Sequence, residues 1–333
     1  IFISLLVVVS ALPLLTAAGG GKGPQSEHQR IIEFWTQERV AQAQPRDFRF
    51  DPSTRQFTPA ARPPGGGGNG AGGIVSGSSW TKGGAVTGTT GKVLFQMGGT
   101  YWVCSASTVY DTAADRSIVL TAGHCVYDEA NGAFATNWMF IPDYDAAPAP
   151  LTSSGSFCSE TRYGCWTAES LAVHTGYATA GGFNDQAVLY DWGFAVVKNG
   201  GLRGTDLVEE VVGTQNIAFS SVALNGSTTG WAFGYPAEKK WDGTDLIYCR
   251  GPVDGDPYNA NLTYRMSGCK LNGGSSGGPW FRDFSESTGV GTLFSVNSYG
   301  YNGVTAMHGP LFNASTQATY NSALTQPSST IVP

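Results

Sequence analysis

The sequence lacks several patterns that would indicate particular functions. Only 13% of its 333 residues are charged and the net charge is −6, so no excess of basic residues is present for binding nucleic acid. The six cysteines include no Cys-x-x-Cys pair, which argues against a zinc clip or a redox site. No repeat is found, and beyond residue 18 no apolar run is long enough to span a bilayer. We therefore expect no cofactor and no metal.

The one long apolar stretch is residues 1–18. Pro13 interrupts it and small residues end it, which predicts a signal peptide; a membrane anchor is the alternative. An even number of cysteines without metal-ligand spacing fits disulfide bonds in an oxidising compartment. The sequence thus predicts a secreted protein with no membrane association once the signal is removed.

The cysteines and three glycosylation sequons agree with that route. The simplest pairing joins neighbours in sequence, and other connectivities stay open: Cys104–Cys125, Cys158–Cys165 and Cys249–Cys269. The candidate glycosylation sites are Asn225, Asn261 and Asn313. Three such matches can also arise by chance in a chain rich in Asn and Ser.

Residues 19–73 differ in composition from the rest. Ser26 and Gln29 have the spacing of a helix capping box, and the apolar residues that follow predict one amphipathic helix ending before Pro45. Residues 65–73 are almost all glycine, which is typical of a flexible linker. We predict that residues 19–73 are a helical pro-segment and its linker; the alternative is an arm that stays attached.

From Ile74 onward, short runs of Val, Ile, Thr, Tyr and Trp are broken by turn-forming residues. This pattern predicts antiparallel β-barrels or sandwiches with little helix. The predicted strands include Lys92–Met97, Tyr101–Val109, Ser117–Thr121, Trp192–Val197, Ser220–Leu224, Thr229–Gly234, Ile247–Arg250, Gly291–Val296 and Val304–His308.

Three separate positions carry residues suited to nucleophilic catalysis. Ser275 and Ser276 lie in a glycine-rich turn, residues 272–280, where a serine hydroxyl and backbone N–H groups can be accessible. His124 follows an apolar strand beside a cysteine, and Asp191 precedes another apolar strand. Taken singly, each has an ordinary reading: a glycine turn, a structural histidine, and a turn-starting aspartate.

Together the three resemble the chymotrypsin-like (trypsin-like) serine peptidase family. The order His124, Asp191, Ser276 matches, as do Cys104-Ser-Ala-Ser107, Thr121-Ala-Gly-His-Cys125 and the Gly-Ser-Ser-Gly-Gly-Pro turn. The resemblance covers roughly residues 74–312. It implies an all-β fold of two packed antiparallel six-stranded β-barrels, residues 74–200 and 201–333, with the active site between them.

The resemblance also implies a role for each site residue. Ser276, not Ser275, would be the nucleophile, because the family pattern places two glycines and a proline after it. His124 would be the general base, and Asp191 the group that orients His124. The N–H groups of Gly274 and Ser276 would form the oxyanion hole.

The sequence departs from trypsin in its activation switch. Ser275 occupies the position where trypsin-like enzymes have an Asp that receives the freed N-terminus, so the Gly73-Ile74-Val75 sequence lacks the acceptor for that ion pair. We therefore do not expect trypsin-type zymogen activation. The nucleophile turn is more similar to the bacterial and fungal branch that includes glutamyl endopeptidases.

The implied substrate pocket departs from both groups. Its candidate residues are Lys270, Asn297, Ser298, Tyr299 and Gly300. Asn297 replaces the histidine of the glutamyl branch, and Lys270 stands where trypsin has its pocket-floor Asp. A lysine there could favour acidic substrates or point to solvent. Cleavage after Lys or Arg is disfavoured.

The resulting hypothesis is a secreted, monomeric serine endopeptidase made as a zymogen and acting on proteins or peptides. Two alternatives stay open: an inactive homologue that serves as a binding protein, and an esterase that uses the same three residues.

Overall fold

The computed structural model describes residues 25–51, 56–59, 73–146, 157–238 and 240–333. The predicted signal peptide and most of the glycine linker lie outside these residues. The helices are α1 (Glu27–Phe34), α2 (Gln37–Gln42), α3 (Ala85–Thr89), α4 (Thr175–Ala178), α5 (Val208–Val212) and α6 (Ala314–Thr325).

The strands, in chain order, are β1 (Gln44–Pro45), β2 (Phe48–Asp51), β3 (Gln56–Pro59), β4 (Val75–Ser79), β5 (Thr90–Met97), β6 (Thr100–Val109), β7 (Ser117–Thr121), β8 (Tyr127–Asp128), β9 (Ala133–Phe134), β10 (Thr136–Pro142), β11 (Trp166–His174), β12 (Gly193–Val197), β13 (Asn216–Ile217), β14 (Asn225–Gly234), β15 (Ile247–Gly255), β16 (Thr263–Ser267), β17 (Pro279–Ser285), β18 (Val290–Val296), β19 (Gly300–Tyr301), β20 (Ala306–Pro310) and β21 (Thr330–Val332).

The predicted single N-terminal helix is wrong: the segment forms two helices, α1 and α2. Ser26 caps α1 by accepting a hydrogen bond from the N–H of Gln29, as its sequence predicts. The helix then ends because Trp35 turns its ring inward, where Nε1 donates to the carbonyl of Asn137 at 2.7 Å. Thr36 starts α2 by accepting from the N–H of Arg39.

The first body is a closed six-stranded antiparallel barrel. Its strands pair in the order β6, β5, β10, β11, β12 and β7, and β6 also pairs with β7 to complete the circle. Every residue of β7 and β12 is buried, because these strands face the barrel interior on one side and covering segments on the other.

The second body is a six-stranded antiparallel sheet in the order β18, β17, β14, β15, β16 and β20. The sheet curls so that its two ends meet: the hydroxyl of Ser295 in β18 donates to the carbonyl of Pro310 in β20 at 2.8 Å. Alternate residues of β15 are buried, as in a strand with one face on a core. The predicted all-β, two-barrel fold class is thus confirmed.

Several elements differ from the sequence-based strands and helices, and the main differences are these. Residues 220–224, predicted as a strand, form an extended loop in which the N–H of Val222 binds the hydroxyl of Tyr264. Strands β10, β11, β16 and β17 and the helix α6 were not predicted.

Two parts of the chain cross between the bodies: strand β4 and the C-terminal residues 314–332. Strand β4, which follows the linker, pairs with β15 of the second sheet. Helix α6 packs on the first barrel, where Thr319 accepts a hydrogen bond from Trp192 Nε1, and β21 pairs with β11. The predicted boundary between residues 200 and 201 falls between β12 and β13. It separates the six strands of the first barrel from the six of the second sheet. Strand β4, helix α6 and strand β21 each pack on the body on the other side of this boundary.

The structure contains three disulfide bonds: Cys104–Cys125, Cys158–Cys165 and Cys249–Cys269. Within the described ranges, no helix has the length and apolar character needed to cross a membrane. The three sequon asparagines, Asn225, Asn261 and Asn313, are all exposed.

Candidate active site

His124 is held rigidly at the end of β7. It lies in a 3₁₀ turn, residues 123–125, whose last residue is tied to β6 by the Cys104–Cys125 disulfide. The ring is fully buried, and Nδ1 lies 2.8 Å from Oδ2 of Asp191. Because an ionised carboxylate can only accept, Nδ1 carries the proton and Nε2 is left as the basic nitrogen.

Asp191 is fully buried and accepts three hydrogen bonds. One comes from the N–H of His124 at 2.9 Å, one from its Nδ1, and one from the hydroxyl of Ser298 at 2.5 Å. A buried carboxylate needs such partners to offset its lost hydration. Gly123 makes room for it, since a Cβ there would lie 3.1 Å from Oδ1 of Asp191.

The turn that carries Ser276 fits tightly against the first barrel. Gly277 has φ +78°, and a Cβ at this position would lie 2.1 Å from Oγ1 of Thr121. The N–H groups of Ser275, Gly277 and Gly278 bind carbonyls of this region. No hydrogen bond from the N–H of Gly274 or Ser276 occurs within the described part of the chain. These are the two N–H groups that the family resemblance assigns to the oxyanion hole.

The hydroxyl of Ser276 binds a residue that the sequence reasoning missed. It donates to Oδ1 of Asp47 at 3.4 Å, while Nε2 of His124 is buried and has no hydrogen-bond partner among the described residues. Burial raises the pKa of the Asp47 carboxyl, and the charges of Arg49 and His124 oppose this. No sequence motif marks Asp47, which precedes Ser276 by 229 residues.

A cavity of about 320 Å³ is lined by Asp47, the residue that accepts the hydroxyl of Ser276. Its walls are residues 269–272 and 304–307, with Gly300 along one side. The lining includes three cationic side chains, those of Lys240, Lys270 and Arg49, and the carboxylate of Asp47. Of the predicted pocket residues, Lys270 and Gly300 line this cavity.

The other three predicted pocket residues are buried in supporting roles. Asn297 donates to the carbonyls of Phe233 and Ser275 and accepts from Trp280 Nε1, so it holds the nucleophile turn. Ser298 binds Asp191, as described above. The hydroxyl of Tyr299 donates to Asp256 at 2.7 Å.

Asp256 is a second buried carboxylate that the sequence did not single out. It accepts hydrogen bonds from the hydroxyls of Tyr299 and Tyr301, on the strand region that borders the cavity. Burial lowers the pKa of the neighbouring His308 to about 4, so that imidazole is neutral at neutral pH. Asp256 thus anchors the cavity wall from behind.

A two-barrel β fold with a buried His–Asp pair and a serine on a glycine turn is typical of chymotrypsin-like serine proteases. Protease Anisep from Arthrobacter nicotinovorans is 39% identical to this chain, with a TM-score of 0.58; the match covers 71% of this chain and 95% of that one. The thermostable serine protease AL20 from an extremophilic microorganism is 35% identical, with a TM-score of 0.59, over 72% of this chain and 98% of that one. The chain belongs to the chymotrypsin-like serine protease family.

A more distant match is a Glu endopeptidase whose structure was solved in complex with MPD. It is 21% identical over 76% of this chain and 99% of that one, with a TM-score of 0.51, which shows a shared fold. No protein-family model matches the sequence, and no curated protein does.

Proposed function

We propose that this protein is a secreted serine endopeptidase that hydrolyses peptide bonds through an acyl-enzyme intermediate. The observation that carries the proposal is the buried His124–Asp191 pair, whose free Nε2 lies in the same site as Ser276 on its glycine turn. Family membership and the names of the matched proteases support it.

The proposed reaction has two steps. Oγ of Ser276 attacks the scissile carbonyl carbon as His124 Nε2 takes the hydroxyl proton, and the N–H groups of Gly274 and Ser276 bind the oxyanion. The histidine then gives its proton to the leaving amine as the C–N bond breaks. Water activated by the same histidine hydrolyses the acyl-enzyme and releases Ser276. Asp191 keeps the ring in the required tautomer and stabilises the imidazolium.

Secretion and processing belong to the same proposal. Three disulfides fit an oxidising compartment, and the exposed sequon asparagines are accessible to glycosylation. Residues 19–73 are proposed as a pro-segment, because helix α1 and the residues after it dock on the domain that carries the site. The cationic side chains around the cavity support acidic substrate residues over Lys or Arg.

A fluorophosphonate probe tests the enzyme proposal. The full chain is folded, residues 1–73 are released by proteolysis, and the labelled peptide is mapped by mass spectrometry. We expect the adduct on Ser276, loss of labelling in Ser276→Ala, and retained labelling in the neighbouring control Ser275→Ala. Absence of any adduct favours an inactive binding protein. Hydrolysis of esters without cleavage of peptides favours an esterase.

A further inference from the structure

The N-terminal segment crosses the candidate active site. We call its described residues 44–51 and 56–59 the cleft segment. Strand β1 pairs with β6 of the first barrel, at Trp102 and Val103. Strand β2 pairs in parallel with β19, and β3 lies antiparallel to β2. The cleft segment therefore bridges the two halves of the protein over the residues proposed for catalysis.

Asp47 of this segment contacts the proposed nucleophile. Asp47 is 7% exposed, and its Oδ1 accepts a hydrogen bond from the hydroxyl of Ser276, whereas Nε2 of His124 has no hydrogen-bond partner among the described residues. A serine hydroxyl bound in this way is not activated by the base. A carboxylate is also a poor electrophile, so the group in front of Ser276 resists attack.

Arg46 fastens the segment to the first barrel. Its Nη1 donates to the carbonyl of His124 at 2.5 Å, and its Nη2 donates to Oε2 of Glu129 at 3.1 Å. The same carboxylate oxygen accepts the hydroxyl of Tyr177 at 2.6 Å. Because this guanidinium is buried with charged and polar partners, pulling it out would leave Glu129 without its cation.

Three phenylalanines of the segment pack on aromatic rings around His124 and on the strand region that borders the cavity. Phe48 stacks on Phe183 at 4.0 Å between ring centroids and meets the ring of His124 edge-on at 5.6 Å. Phe50 contacts Tyr301 at 5.4 Å. Phe57 contacts Phe183 and Tyr299 at 5.2 and 5.6 Å. These contacts bury apolar surface and exclude a second peptide from the same wall.

We propose that the cleft segment is an intramolecular inhibitor of the active site. Asp47 holds the hydroxyl of Ser276 away from His124, Arg46 anchors the segment, and the phenylalanines occupy the substrate wall. Alternate residues of 47–50 have different contacts: Asp47 and Arg49 line the cavity, while Phe48 and Phe50 contact aromatic rings. The inhibitory role rests on the proposed peptidase function.

Labelling of Ser276 in the intact full chain tests the inhibition. A fluorophosphonate reacts with the wild-type full chain, with Asp47→Ala and with Phe50→Ala, and the rate of adduct formation is measured. We expect both variants to react about tenfold faster or more, because each loses an interaction that keeps the segment in place. Asp115→Ala, which removes an exposed carboxylate outside the site, is the matched control and should react at the wild-type rate. Near-UV circular dichroism checks that each variant is folded.

A second measurement is independent of catalysis. The N–H of Asn302 donates to the carbonyl of Phe50 at 3.0 Å, so hydrogen exchange at Asn302 reports whether the segment is docked. In a Ser276→Ala full chain, Phe50→Ala should speed this exchange. If the wild-type full chain is labelled rapidly, at the same rate as both variants, the proposed inhibitory role of the cleft segment would be overturned. If Phe50→Ala speeds the exchange but no form of the protein is labelled, the processed protein included, the peptidase proposal would be overturned. The segment would then only cover the site.

Discussion

The hydroxyl of Ser298 donates a 2.5 Å hydrogen bond to Oδ2 of Asp191, the same oxygen that faces Nδ1 of His124. Ser298 therefore helps to fix the carboxylate that orients the proposed base. Removing a hydrogen bond to a charged group typically costs about 1.5 to 3 kcal/mol. We expect Ser298→Ala to lower kcat by about tenfold or more, with little change in KM, because the lost contact acts on the chemical step.

A neighbouring serine supplies the control for that measurement. Ser295 is also buried, but its hydroxyl donates to the carbonyl of Pro310, away from Asp191. Ser295→Ala should reduce stability while leaving kcat unchanged. Equal kcat values for the two variants would contradict the positioning role of Ser298.

Lys92 should give the folded protein a pH-dependent stability. Burial lowers the pKa of its amine to about 7 from 10.5, while Asp242 opposes the shift, and Nζ lies 3.9 Å from the centre of the Tyr144 ring. Between these two pKa values the unfolded chain binds a proton that the folded protein does not, so the free energy of unfolding rises with pH from about 7 to about 10. At about 1.4 kcal/mol per pKa unit, the contribution is on the order of 5 kcal/mol.

Denaturant unfolding at pH 6, 8 and 9.5 checks this. Lys92→Met should flatten the rise relative to wild type and should be most stabilising at pH 6, where the buried charge is fully present. Lys198→Met serves as the control, because Lys198 is exposed and pairs with Glu169. Parallel stability curves for wild type and Lys92→Met would show that the amine stays charged in the fold.

Gly278 should not tolerate a side chain. A Cβ there would lie 2.0 Å from the carbonyl oxygen of Phe233 and 2.8 Å from Nδ2 of Asn297. We expect Gly278→Ala to destabilise the protein by about 3 kcal/mol and to displace the nucleophile turn. At Gly251 the nearest atom would be 3.7 Å away, so Gly251→Ala should change stability by less than about 1 kcal/mol. Urea unfolding of the two variants makes the comparison, and equal losses would argue against the steric explanation.

Two of the disulfides should have similar effects on stability but different effects on activity. Replacing Cys104 and Cys125 together by alanine should cost about 3 kcal/mol and also lower kcat, because Cys125 anchors the turn that holds His124. Replacing Cys158 and Cys165 together should cost a similar free energy without an effect on kcat in the folded fraction. Thermal unfolding and initial rates measure both quantities. A normal kcat in the first variant would mean that Asp191 alone orients the histidine.

The strands that the sequence predicted well are those with continuous apolar runs, such as Ser117–Thr121. A strand that is buried on both faces consists mostly of apolar residues, so it can be recognised in the sequence. Strand β17, Pro279–Ser285, was missed because its second half is polar and partly exposed. Helix α6 was missed because it is rich in Ser, Thr and Asn, which favour caps and turns in isolation. It forms with a capping box at Asn313 and Thr316 and by packing Tyr320 and Ala323 on the barrel.

The sequence by itself predicted the class of fold and the family, and it indicated His124, Asp191 and Ser276 as candidate catalytic residues, because each of these is marked by residues that are close together along the chain. Only the tertiary structure brought Asp47 to Ser276 and Ser298 to Asp191, and it turned Asn297 and Tyr299 away from the cavity. These relationships join residues separated by 17 to 229 positions. Local periodicity and turn chemistry carry no information about such distant pairs, which depend on how the two bodies and the cleft segment pack together.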